Sequence, residues 1–269
     1  MTDIIKELQD YRYLSWTKTR KSSGTAGSFL KAYDDTGDTK KYYKLSDYDP
    51  MKGIVGHECV NEIIVQRLID KWQFPHLEYK LIHALVTIDD KEYVTWLCES
   101  EDYKKKDETK LPLEDYYLIN RSEGEDPLDF CIRMGWTEYV YEMLLIDYLV
   151  LNRDRHGANI EVLRSQKDKT IRLAPLFDHG LSLVCRCHSP EELELFDVME
   201  DRPVQAFIGT GSTLENVHIL PKTFVNTLTP LSHDDIEEIM SGIEEIIGKQ
   251  YVDKICTMIW ERWNSIGSL

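Results

Sequence analysis

No stretch of this 269-residue chain approaches the ~18 uncharged apolar residues of a membrane-spanning helix. The opening residues, Met1-Thr2-Asp3-Ile4-Ile5-Lys6-Glu7, put charges where a secretion signal needs an apolar core. There is no internal repeat and no low-complexity tract. Basic charge is scarce: 32 Lys and Arg stand against 48 Asp and Glu, a net charge of −16. That balance argues against broad nucleic-acid binding and leaves room only for a local basic patch. Cysteines number six and form no dense framework, so without a secretion signal they read as the reduced thiols of a cytoplasmic protein. Cys185-Arg186-Cys187-His188 is the one cluster among them. It lacks both the ligand spacing and the second cluster of a structural zinc site, and reads as ordinary thiols.

What remains is globular. Hydrophobic residues make up 42% and charged residues 30%, enough apolar surface to offset chain entropy. The first third predicts strands around one helix. Residues 28–33 and 41–45 are short aromatic-rich runs flanking the turn cluster Asp34-Asp35-Thr36-Gly37-Asp38, a hairpin pattern. Val60, Ile63, Ile64 and Leu68 recur at helical spacing, predicting a helix over roughly 56–71. Residues 80–87 and 92–97 read as two more strands joined at Asp89-Asp90. Composition shifts at Cys98, and the charged stretch 99–129 reads as loop-like, marking a hinge. Thr137 to Leu151 is a strongly apolar helix, followed by a polar loop to Asn159 and strands over 160–163 and 170–174. From Ser232 the tail is helical, with Ser232 and Asp235 spaced as a capping box and Ile236, Ile239, Met240, Ile243 and Ile247 on one face. The expected architecture is α+β and two-lobed: a β-rich lobe over residues 1–98 and a mainly helical lobe over 99–269.

The segment Asn152-Arg153-Asp154-Arg155-His156-Gly157-Ala158-Asn159 carries the most chemistry. Asp, four residues, then Asn is the spacing of a phosphotransfer loop, in which the Asp handles the attacking hydroxyl and the Asn holds Mg²⁺. Asn152 stands where His is usual. Eighteen residues past Asn159 begins Phe177-Asp178-His179-Gly180, whose Asp-x-Gly core matches a metal-binding element. Loop, strand, turn, strand, carboxylate is an order that brings Asn159 and Asp178 toward one hard cation. Either motif alone is weak; together they point to phosphoryl transfer. His156 has two candidate roles, contact with the transferred phosphate or bracing of the loop. Upstream, Ser23-Gly24-Thr25-Ala26-Gly27 lies in a small-residue loop whose backbone N–H groups can approach phosphate oxygens. Lys44 is a candidate phosphate cation, and Glu58 and Glu62 share a helix face from which either could pair with it.

These residues together resemble the HipA-like Ser/Thr kinases, the toxin kinases of bacterial toxin–antitoxin pairs. The resemblance runs over roughly residues 20–180 and rests on the Ser22–Ser28 loop, Tyr43-Lys44-Leu45, Val60-Asn61-Glu62, and Asp154-x-His156-x-x-Asn159 with Pro175-Leu176-Phe177-Asp178. The loop Asp154-Arg155-His156-x-x-Asn159 and Asp178-x-Gly180 also resemble phosphoinositide 3- and 4-kinases. The resemblance implies a kinase fold with ATP between the lobes, contacted by Trp96, Leu97, Cys98 and Glu99. It implies Glu62 as the partner of Lys44, Asp154 as the catalytic base, and Asn159 and Asp178 as Mg²⁺ ligands. It further implies silencing by phosphorylation in the loop that offers Ser22, Ser23, Thr25 and Ser28. Family members carry an extra N-terminal subdomain, whereas about twenty residues precede the loop here. A separate subdomain chain or an antitoxin-type protein is therefore a candidate partner. The rival readings are a lipid or small-molecule kinase of the same fold, and a nucleotide-binding pseudokinase acting as an interaction module.

Overall fold

The computed structural model describes residues 3–17 and 29–267, so the small-residue loop with Ser23, Gly24, Thr25, Ala26 and Gly27 lies outside the described residues. In chain order the first part holds β1 (Ile4–Asp10), β2 (Lys31–Asp34), β3 (Lys41–Leu45), the short pair β4 (Tyr48–Asp49) and β5 (Gly53–Ile54), α1 (Glu58–Asp70), β6 (Tyr79–Ile88) and β7 (Lys91–Glu101). Five of these strands form one sheet in the order β1-β6-β7-β3-β2. The β2–β3 hairpin pairs Lys31 with Lys44 and Tyr33 with Tyr42. Side chains alternate across a sheet, so Lys44 lies on the face opposite Tyr43 and Leu45. In the β6–β7 hairpin the turn residues Asp89 and Asp90 both adopt left-handed backbone, φ 48° and 61°, as a two-residue turn matching strand twist requires. The edge strand β1, parallel to β6, has no strong alternation in its sequence and was not among the expected elements.

The helical part begins with β8 (Glu108–Pro112), α2 (Leu113–Asn120), α3 (Pro127–Arg133) and α4 (Thr137–Val150), followed by β9 (Asp154–Arg155), a 3-10 turn (Gly157–Asn159), β10 (Glu161–Ser165) and β11 (Ile171–Leu173). It ends with α5 (Pro190–Leu195), β12 (Gln205–Ala206), α6 (Thr213–Val217), α7 (Lys222–Val225), α8 (His233–Ile239), α9 (Glu244–Ile247) and α10 (Lys249–Ile266). The stretch expected to be loop-like, 99–129, is therefore largely ordered into elements. Leu113, Tyr116 and Tyr117 are buried at helical spacing on α2, and Asp126 caps α3 with Pro127 in its first turn. The capping box at Ser232 and Asp235 is present. The apolar face drawn through Ile247 is not one helix, because Gly242 and Gly248 take φ 75° and 85° and break the tail into three.

Two apolar clusters hold the layers. One fills the outer side of the sheet with Leu45, Ile82, Val86 and Leu97. The larger joins α1, α4 and α10 beneath it. α4 is buried almost all round, from Val140 to Val150, which is why its apolar residues show no single face. Arg262 of α10 is fully buried and donates to the carbonyls of Tyr148, Val198 and Glu200. It ties the tail to the segment after α5.

α4 also encloses Glu142, whose carboxyl is pushed up to about 7 by burial and by Glu138. The folded state then holds the proton more tightly than the unfolded chain does. This contribution to stability is full below about pH 4.5 and is lost as pH rises through 7. Glu142→Gln is expected to flatten stability between pH 5 and 7 and to raise it by about 3 kcal/mol at pH 8. Urea unfolding across that range checks it, and a variant that keeps the wild-type pH slope would contradict the assignment.

Candidate active site

β3 carries Lys44 inward beneath the sheet, and α1 presents Glu62 to meet it. The Lys44 ammonium lies 2.9 Å from Glu62 and 2.6 Å from Asp178. Burial alone would lower the lysine. The two carboxylates outweigh it and hold Lys44 well above its ordinary value, so it stays charged. Glu62 is itself fixed: its oxygens accept the N–H groups of His179 (2.8 Å) and Gly180 (3.1 Å). Asn61, one residue earlier, donates to the carbonyls of Gly180 and Ser182. α1 thus grips the Asp178–Ser182 segment through two adjacent residues. Glu58, the other candidate partner of Lys44, accepts the Asp47 N–H instead, and burial raises its carboxyl.

Gly180 is required by space. A Cβ there would come within 2.9 Å of the Lys44 ammonium and 3.1 Å of the Glu58 side chain. Asp178 takes a left-handed backbone, φ 59°, a local strain that persists only where the surroundings enforce it. Its N–H donates to the Tyr79 hydroxyl at 3.2 Å. Burial and the charges of Glu62 and Asp178 keep that phenol un-ionised, well above its ordinary value.

The second half of the site follows α4. Leu151 ends the helix in left-handed conformation, φ 50°, and turns the chain into the loop. Asp147, the lone acid of the last turns of α4, forms a buried pair with Arg155 at 2.9 Å. Arg155 also donates to the carbonyls of Asn159 and Phe177, locking the loop onto the segment that precedes Asp178. Burial opposes its charge, but Asp147 more than restores it and the guanidinium is held above its ordinary value. Asn152 donates to Asp147 and accepts the Asp154 N–H, so the Asn in the usual His position is a buried brace. The His156 ring caps the 3-10 turn by accepting the Ala158 N–H, and its other nitrogen lies 3.6 Å from Asp154. Asp154 itself keeps 28% of its side chain exposed, against 7% for Asp147. An incoming group can reach the first and not the second.

Asn159 amide donates to the Asp154 carbonyl at 2.7 Å, which leaves its Oδ1 buried and without a hydrogen-bond partner. A buried orphan acceptor is costly unless a ligand completes it. Asn159 and Asp178 line the same cleft, so an amide oxygen and a carboxylate are offered to it. That donor set fits Mg²⁺, which takes one or two protein oxygens together with phosphates. Among the described residues no three His, Cys, Asp or Glu gather as a metal site. Cys185 and Cys187 are buried.

The cleft measures about 420 Å³ and is lined by Lys31, Tyr42, Lys44, Cys98, Ser100, Glu101, Tyr103, Asn159, Phe177 and Asp178 among others. The strand segment expected at its wall is displaced. Of Trp96, Leu97, Cys98 and Glu99, only Cys98 lines it. Trp96 stacks on His83, Leu97 is buried on the far face, and Glu99 pairs with Lys41 at 3.0 Å. β7 runs through Cys98 to Glu101, and its alternation sends Leu97 and Glu99 away from the cleft. The wall is completed by Ser100, Glu101 and Tyr103, the last stacked on Phe177 at 5.9 Å.

Sequence reasoning passed over Asp147 and Tyr79, and it quoted Asn61 and Arg155 within motifs without giving either a role. An acid inside the apolar run Met143–Val150 was the available signal for Asp147, since such a residue is rarely buried unless paired.

No protein-family model matches the chain, and no curated protein does. Solved structures do. The crystal structure of the Helicobacter pylori proinflammatory kinase CtkA superposes with a TM-score of 0.64 at 13% identity, covering 97% of each chain. HipA of Shewanella oneidensis MR-1, seen in a toxin–antitoxin complex with HipB and operator DNA, gives a TM-score of 0.53 at 12% identity. The match covers 90% of this chain and 65% of that one. The fold is kinase-like. The kinase-like layout places the cleft between the sheet and the helical part, where Lys44 and Asp178 meet. Among the described residues no helix is long and apolar enough to cross a membrane.

Proposed function

We propose that the chain is an ATP- and Mg²⁺-dependent phosphotransferase acting on a serine or threonine hydroxyl of a protein. The observation that carries this reading is one cleft in which Lys44, held by Glu62, faces Asp178 and the orphan oxygen of Asn159. The likeness to CtkA and HipA supports it at the level of fold. Every member of the set comes from this one chain, so the reading requires neither a separate subdomain chain nor an antitoxin-type partner. The lobes then divide in the stretch from Cys98 to Tyr103.

In this reading Lys44 holds the nucleotide phosphates with a charge that burial between two carboxylates keeps in place. Asn159 and Asp178 hold Mg²⁺, which when bound neutralises charge on the phosphates. Asp154 orients the acceptor hydroxyl and takes its proton. His156 braces the loop through its cap on Ala158. Arg155 and Asn152 hold Asp154 and Asn159 at a fixed separation, and such preorganisation is what phosphoryl transfer demands of a protein.

Calorimetry tests the metal assignment. ATP is expected to bind at least about tenfold more tightly with Mg²⁺ than with chelator, because the Asp178 carboxylate and the Asn159 oxygen otherwise face the polyphosphate with no cation between them. Equal affinity in both conditions, with turnover indifferent to metal, would sink it.

A further inference from the structure

Where α4, the Asp154–Asn159 loop and α6 meet, the interior holds a small cavity of about 10 Å³. Leu144, Asp147, Asn152, Arg155, Thr213 and Asn216 are among its lining residues, and all six are buried. Thr213 is only 3% exposed. Its hydroxyl is buried and has no hydrogen-bond partner among the described residues. A buried hydroxyl without a partner is destabilising unless something in its surroundings completes it.

The chain between β12 and α6 is built to bring Thr213 to this place. The N–H groups of Gln205 and Phe207 donate to the carbonyls of Arg153 and Arg155, binding the segment to the loop. Gly209 then takes left-handed backbone, φ 85°, and a Cβ on it would run into the Asn216 amide. That amide closes the turn by accepting the Thr210 N–H at 2.6 Å and donating to the Thr210 carbonyl at 2.9 Å. The ion pair across the cavity keeps spare bonding capacity. Among the described residues Asp147 Oδ2 accepts one hydrogen bond, from Arg155 Nε. Arg155 Nη2 uses one of its two hydrogens, on Asp147 Oδ1. A hydroxyl, a carboxylate oxygen and a guanidinium N–H are three polar partners, the usual number for an internal water, and the volume is about that of one. The charge of Arg155 disfavours a cation there.

We infer that this cavity is the site of one internal water, hydrogen-bonded to the Thr213 hydroxyl and to the Asp147–Arg155 pair, and that Thr213 is a positioning residue for the Asp154–Asn159 loop. Its effect on phosphate transfer rests on the kinase reading above, whereas the water and its hold on the loop do not. Arg155 donates to the Asn159 carbonyl at 3.1 Å and to the Phe177 carbonyl at 2.9 Å. Whatever fixes the guanidinium therefore fixes the Asn159 turn against the segment that leads to Asp178. A bridging water holds two groups nearly as well as a direct bond does, so α6 supports the loop without touching the cleft.

Two variants of the full chain test this. Thr213→Val keeps the shape of the side chain and removes the hydroxyl, and Thr213→Ser keeps the hydroxyl. A high-resolution crystal structure of wild type is expected to show one water within about 3.2 Å of Thr213 Oγ1. Amide hydrogen exchange over residues 154–159 is expected to run at least about fivefold faster in Thr213→Val and within about twofold of wild type in Thr213→Ser. For phosphate transfer, Thr213→Val is expected to lower kcat about tenfold with the KM for Mg-ATP unchanged, and Thr213→Ser to recover most of it. No water beside Thr213 in wild type, or unchanged loop exchange in Thr213→Val, overturns the inference. Equal losses in the two variants assign the effect to packing and overturn it as well. Faster loop exchange in Thr213→Val, beside a wild type that transfers no phosphate, keeps the water site and removes the kinase reading. Full kcat and wild-type exchange in Thr213→Val, beside an active wild type, do the reverse.

Discussion

Asp178→Ala is expected to lower phosphate transfer by about 10³-fold while leaving the fold nearly as stable as wild type. The activity loss follows from removing the carboxylate that faces both Lys44 and the cleft, and deletions of such charge-stabilising groups cost about 10²–10³ or more. Stability is spared because Lys44 retains Glu62 at 2.9 Å. Lys44→Ala is expected to lose as much activity and, unlike Asp178→Ala, to unfold about 3 kcal/mol more easily. It leaves Glu62 and Asp178 without their shared cation, and a buried charge stripped of its partner costs about 3–5 kcal/mol. The two N–H groups that Glu62 accepts soften that cost. Turnover and urea midpoints on the two variants check this. Equal stability in both would mean that Lys44 is not buried between these carboxylates, and near-wild-type turnover in either would remove that residue from the site.

Arg155→Met is expected to destabilise the chain by about 3–5 kcal/mol and to abolish activity without touching the cleft. Asp147 would remain buried with only the Asn152 amide against it. The carbonyls of Asn159 and Phe177 would each lose a donor. Adding Asp147→Leu is expected to restore part of the stability, since an apolar pair can replace a buried ion pair, and to restore none of the activity. Nothing would then hold the Asn159 turn against the Asp178 segment. A double variant no more stable than Arg155→Met would show that the loss lies in those carbonyl bonds and not in the stranded charge.

Where local sequence alone dictates conformation, the chain is readable. The β2–β3 hairpin, the Asp89-Asp90 turn and the capping box at Ser232 need no tertiary information. The loop spacing Asp154 to Asn159 and the Asp178-x-Gly180 core are equally local. Glu62 and Glu58 share a helix face, so their residue types could not decide which meets Lys44; the choice came from a family resemblance, and the structure joins Lys44 to Glu62. The region from β8 to α3 was hidden by its charge, although Leu113, Tyr116 and Tyr117 carried a helical spacing and Asp126-Pro127 a cap. The cleft wall extends past the expected segment to Ser100, Glu101 and Tyr103, because strand length is set by the partner strand. β7 follows the ladder from Ile88↔Lys91 to Tyr79↔Ser100, two residues past the last apolar signal at Cys98. Asp147–Arg155 is an ion pair between a helix and a loop, and no periodicity reports it.

The most direct measurement is transfer of labelled phosphate from Mg-ATP to serine-containing protein or peptide, comparing wild type with Asp154→Asn. The substitution keeps the size of the side chain and the N–H contact of the loop with Asn152. It removes only the group that takes the hydroxyl proton, a loss of about 10²–10⁴. Wild type is expected to transfer phosphate only with Mg²⁺, and Asp154→Asn to bind Mg-ATP with unchanged affinity and transfer almost none. Transfer by Asp154→Asn at the wild-type rate, or none by a wild type that binds Mg-ATP, would contradict the assignment.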